Sequence, residues 1–109
     1  MIDTYRALVC RALSDDFSGL AVETLATPEP GPAEVLVRMR AASVNFPDLL
    51  MTQGRYQFRP ELPFVPGIEG AGEVAAIGRE ATNEAGAPRI GDRVLVHART
   101  GAFAAFNRR

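Results

Sequence analysis

The sequence has one cysteine, no apolar run near the length of a membrane span, and no concentration of positive charge. A single cysteine permits no internal disulfide, which fits a reducing, cytoplasmic setting. A bilayer-crossing helix needs about 20 consecutive apolar residues, and none is present. The opening stretch MIDTYRALVC lacks a basic region followed by an apolar core and a cleavage site, so no secretory signal is expected. Basic residues are scattered except at Arg108 and Arg109, and the formal net charge is −1, so neither nucleic acid nor an anionic membrane is an expected partner. What is present is ordinary for one globular domain: 109 residues, 47% hydrophobic and 23% charged, enough for a single core and too few for two.

A dinucleotide fingerprint is also lacking. FVPGIEGAGEV, residues 64–74, clusters Gly67, Gly70 and Gly72 around a carboxylate, but the spacing G-x-x-G-x-G reverses the phosphate-binding order. The following EVAAIG is short and β-rich and breaks at Gly78, which leaves no helix whose N-terminus could meet a pyrophosphate. Glycines feeding a strand mark instead a bulge, a corner or a close backbone approach.

Strand patterns dominate the rest. Residues 5–13 and 20–27 predict two strands joined by the polar turn SDDFSG, and PEPGP, with three prolines, predicts a rigid connection. In AEVLVRMRAASV, Val35, Val37, Met39 and Ala41 alternate with Leu36, Arg38 and Arg40, a period-2 strand signal. FPDLLMTQG suits a short helix, with Pro47 tolerated in the first turn, Asp48 at the positive end and Gly54 as terminator. Residues 55–66 read as loop, followed by the strand GAGEVAAIG, a polar loop over 79–89, the tight turn IGDR, the strand RVLVHA and a core strand in GAFAAF. Many short strands and one short helix predict a mainly β barrel or sandwich, with function on its long proline-rich loops.

AASVNFPDLLMTQGRYQFRPELPFVPGIEGAGEVAAIG, followed by GDRVLV and GAFAAF, resembles the N-terminal GroES-like part of medium-chain dehydrogenase/reductases. Within that superfamily it is similar to the NADPH-dependent quinone oxidoreductase branch, to which enoyl-thioester reductases are related. The resemblance covers residues 5–106 and implies a partly open β-barrel with one or two short helices. It also implies that residues 1–109 are the first part of a catalytic domain, that a Rossmann domain carrying the NADP(H) contacts lies outside this chain, and that the chain alone is inactive. The implied acceptor is a small quinone or an enone-type molecule, and the implied full-length enzyme is a homo-oligomer.

Zinc-dependent relatives place a Cys ligand and a His ligand in motifs that align here with Asn45 in SVNFPD and Ile68 in PGIEG. Isoleucine cannot coordinate zinc and a neutral amide replaces thiolate poorly, so the branch implied is zinc-independent. Cys10 and His97 lie outside these motifs and read as a small buried residue and a strand-end polar residue.

Without a metal, the negative charge that develops on a carbonyl oxygen as hydride arrives needs a hydrogen-bond donor. The resemblance assigns that role to Tyr56, whose phenolic hydroxyl can donate a hydrogen bond. It places Asn45 in the nicotinamide and substrate pocket, and Asp48 on the same short helix, orienting neighbours at the cofactor. Structural readings stand beside these. Tyr56 packs its ring under a loop, Asn45 caps the helix, and Asp48 complements the helix dipole. Glu69 is either near the active site or a buried carboxylate paired with an arginine. The same barrel also serves co-chaperonins, so the alternative function is a free-standing binding or assembly module without chemistry.

Overall fold

The computed structural model describes residues 3–81 and 85–108. Strands β1 (Thr4–Cys10) and β2 (Leu20–Ala26) form an antiparallel ribbon, paired without a slip from Thr4↔Ala26 to Cys10↔Leu20. The second sheet comprises β3 (Val35–Ala42), β4 (Glu69–Ile77), β5 (Arg93–His97) and β6 (Phe106–Arg108) in the order β5-β4-β3-β6, all antiparallel. Between β3 and β4 runs helix α1 (Phe46–Gln53). The architecture is the mainly β, partly open GroES-like fold expected.

The ribbon is fastened to the rest by bridges Ala7↔Ala104 and Cys10↔Phe64, the latter a reciprocal pair of backbone hydrogen bonds of 2.8 and 3.0 Å. The core takes in Ala7, Val9, Cys10, Leu36, Val37, Val74, Val96 and Phe106. Burying a side chain the size of Leu36 stabilises by about 1.5–3 kcal/mol. At one end, Cys10, Met51 and Phe64 form a cluster against which Leu20, Tyr56, Phe58 and Ile68 pack. Burial pushes the Cys10 thiol pKa up, against a smaller opposing hydrogen bond with the Ala12 backbone, as befits a packing residue rather than a nucleophile.

β3 does not alternate strictly. Leu36 and Val37 are consecutive and both buried, and the register against β4 shifts twice, between Leu36 and Val37, where Ala75 of β4 is passed over, and between Met39 and Ala41. Gly72 answers part of the question raised by the glycine cluster: a β-carbon there would meet the Arg38 carbonyl oxygen, so close approach of β3 and β4 excludes any larger residue. The strand expected in GAFAAF lies further along the chain, in Phe106–Arg108, and shares only Phe106 with it. Ordered pairing begins at Phe106, where β6 opposes Arg38, and Ala104 makes only a bridge to Ala7. Of the polar loop predicted over 79–89, residues 82–84 lie outside the described residues.

The helix and the tight turn form as their residues dictate. Asp48, Met51 and Thr52 are the buried stripe of α1, and Gly54 ends it in the left-handed region at φ 71°, with its N–H and that of Arg55 donating to the carbonyls of Met51 and Leu50. In IGDR, Asp92 Oδ2 accepts from the Arg89 N–H at 2.8 Å, and Gly91 takes φ 92°.

Candidate functional site

Asn45 is the N-cap of α1, in extended conformation at φ −123° and ψ 156°. The Asp48 carboxylate accepts from the Asn45 N–H at 2.8 Å while the Asp48 N–H donates to the Asn45 carbonyl at 3.0 Å. Asp48 is 3% exposed and its Oδ1 has no hydrogen-bond partner among the described residues. Its carboxylate therefore fixes the backbone that carries Asn45, at the dipole end where negative charge is favourable.

The Asn45 amide turns the other way. Its Nδ2 lies 3.3 Å from both Ser43 Oγ and Glu69 Oε1, and Ser43 Oγ donates to the same Glu69 oxygen at 2.7 Å. Hydrogen bonds from Ser43 first and Asn45 second hold the Glu69 carboxyl below the usual glutamate range, with the charge of His97 adding to the effect. Glu69 is exposed and is not paired with an arginine, which corrects the buried ion-pair reading. An arginine pair was expected because a carboxylate among apolar residues needs a counter-charge. Glu69 instead sits at the first position of β4, where solvent and two neutral donors suffice.

Across the strands Glu69 stands directly opposite His97, the last residue of β5. His97 lines two cavities. One, of about 440 Å³, runs from Ser43 and Glu69 along small residues of β3 and β4 to Leu95. The other, of about 530 Å³, is lined by Pro47 and Met51 of α1, by Tyr56 and Phe58 of the following loop, and by Ile68 and Arg99. Both volumes suit a small organic ligand or a ring system of a larger one. Tyr56 packs its ring on the Met51–Phe64 cluster and forms part of the larger cavity's wall.

The structure thus brings Asn45 and Tyr56 to the two flanks of His97, Asn45 through Glu69 and Tyr56 through the shared cavity. Asp48 is buried behind Asn45 and is not among the residues of either cavity. His97 was read from sequence as a strand-end residue, and it is one. Its place opposite Glu69 comes from strand register, for which the local sequence carries no signal. Ile68 packs in the apolar cluster, and the Asn45 amide is engaged with Ser43 and Glu69.

Residues 31–108 match the alcohol dehydrogenase GroES-like domain family. The chain is 45% identical over 78 residues to the human synaptic vesicle membrane protein VAT-1 homolog, which covers 72% of this chain and 19% of that protein. It is 38% identical over 92 residues to the quinone oxidoreductase-like protein 2 homolog of Nematostella vectensis, covering 84% of this chain and 24% of that one. Among solved structures, mycobacterial Rv1454c in complex with NADPH superposes with a TM-score of 0.83 at 34% identity, covering 95% of this chain and 31% of its own. The chain spans about a fifth to a quarter of these curated relatives. It belongs to the alcohol dehydrogenase GroES-like domain family, on the quinone oxidoreductase branch of the medium-chain dehydrogenase/reductases.

Proposed function

We propose that this chain is the substrate-facing part of a zinc-independent, NADPH-dependent reductase of quinones or α,β-unsaturated carbonyls, working with a nucleotide-binding unit. The observation that carries this reading is the Tyr56 cavity, a hydroxyl-bearing wall over an apolar floor of Met51 and Ile68, placed beside the Ser43–Asn45–Glu69–His97 cluster. Val44, Phe46 and Leu95 flank that cluster with exposures of 70%, 71% and 88%, an apolar margin for the nucleotide-binding unit to cover.

Bound NADPH supplies the hydride. As it adds to a quinone or to the β-carbon of an enone, negative charge gathers on the carbonyl oxygen. Tyr56 donates a hydrogen bond to that oxygen and lowers the barrier. Asn45, fixed by Asp48 behind and Glu69 beside, is the residue of this chain that would help hold a bound nicotinamide, its amide able to donate and to accept. Glu69 remains ionised and orients the Asn45 and Ser43 donors rather than exchanging protons itself. The zinc-free reading rests on Asn45 and Ile68 at the two ligand positions. The lone cysteine suits a cytoplasmic enzyme, and among the described residues no helix is long and apolar enough to cross a membrane. Homo-oligomer formation would run through the nucleotide-binding unit.

The test is NADPH oxidation with naphthoquinone or an enone as acceptor, by this chain joined to its nucleotide-binding unit and by this chain alone. The joined form is expected to turn over in the presence of EDTA. The chain alone is expected to be inactive and to bind NADPH no tighter than about millimolar. No acceptor-dependent oxidation by the joined form would leave the binding-module alternative standing.

A further inference from the structure

The Tyr56 cavity carries a charged group that carbonyl reduction does not use. Arg99, two residues beyond the end of β5, lines it together with Tyr56, Phe58 and Ile68. Its guanidinium carbon stands 4.6 Å from the centre of the Phe58 ring. The cation–π contact anchors the guanidinium beside the ring, and among the described residues no carboxylate takes up its N–H groups. Of the arginines, Arg99 is the one that lines this cavity. No residue lining the cavity is acidic. A preoriented, uncompensated cation thus shares a cavity with an apolar floor and a phenol.

We infer that the acceptor reduced here carries a carboxylate, held in the plane of the Arg99 guanidinium while its carbonyl faces Tyr56. The inference rests on the reductase reading and adds the substrate class to it: a quinone or enone bearing an acid group. A planar carboxylate accepts two parallel N–H groups from one guanidinium, which a neutral ester or ketone cannot do.

Ligand-detected NMR on this chain joined to its nucleotide-binding unit tests this with two probes that differ in charge, para-carboxybenzylideneacetone and its methyl ester. At low salt the carboxylate is expected to bind about fivefold more tightly than the ester, a preference that shrinks as salt screens the contact. Arg99→Gln, a change at an exposed position, is expected to bring the two affinities together and leave that of the ester unchanged. Equal affinities for the unaltered chain, or a preference that survives Arg99→Gln, would overturn the inference and leave the reductase reading intact. Binding of neither probe would overturn both.

Discussion

Strand β4 carries two exposed-side glutamates, Glu69 and Glu73, four residues apart on one face, and the protein treats them differently. Glu73 is held by Arg40, whose Nε lies 3.1 Å from Oε1 and whose Nη2 makes a second, closer contact. Its charge is cancelled where it arises. Glu69 is held by Ser43 and Asn45, donors without charge, and faces His97 across the strand pair. Neutral donors keep a carboxylate ionised without neutralising it. One glutamate therefore fastens two strands, and the other leaves a negative charge standing in the smaller cavity, with an amide and a hydroxyl held in orientation by it.

The comparison can be broken most severely through activity. Glu69→Gln is expected to lower turnover of the joined enzyme by about tenfold, because the charged acceptor that aligns Ser43 and Asn45 becomes a weaker neutral amide, while Glu73→Gln leaves turnover unchanged. Equal losses in the two variants would mean that both glutamates are structural. Titration sharpens the contrast with a smaller effect. The Glu69 carboxyl resonance is expected to titrate below the ordinary glutamate range, Ser43→Ala to raise its midpoint, and Asn45→Ala to raise it by less, in the order of the two contributions. With a lowered folded-state pKa, the stabilisation from Glu69 is complete above the ordinary glutamate pKa and is lost as pH falls through the lowered one. The smallest effect belongs to Glu73→Gln on stability. With Arg40 61% and Glu73 35% exposed, thermal unfolding is expected to change by no more than about 0.5 kcal/mol.

What was legible in the sequence was local. PDLLMTQG carries its own start and stop signals, and α1 ends at Gly54 as those signals dictate. IGDR closes with Gly91 at positive φ and Asp92 bonded to the turn backbone because each residue type suits its position. Leu36 and Val37, on opposite faces of one strand, are both buried, and burial on the second face depends on what packs there, which one strand's pattern does not carry. The site divides the same way. Tyr56 and Asn45 were found through motif resemblance, but the Glu69–His97 juxtaposition depends on how β5 registers against β4, and the donors on Glu69 come from a loop 24 and 26 residues earlier. Arg99 over Phe58 depends likewise on the fold bringing the loop beside the end of β5.

The central claim is that the Tyr56 hydroxyl meets the oxygen on which charge develops, and turnover of Tyr56→Phe in the joined enzyme addresses it most directly. The variant keeps the ring that packs on Met51 and Phe64 and removes only the donor. A fall of about a hundredfold or more in turnover, with NADPH affinity unchanged, is the expected result. Turnover equal to that of the unaltered enzyme would contradict the account.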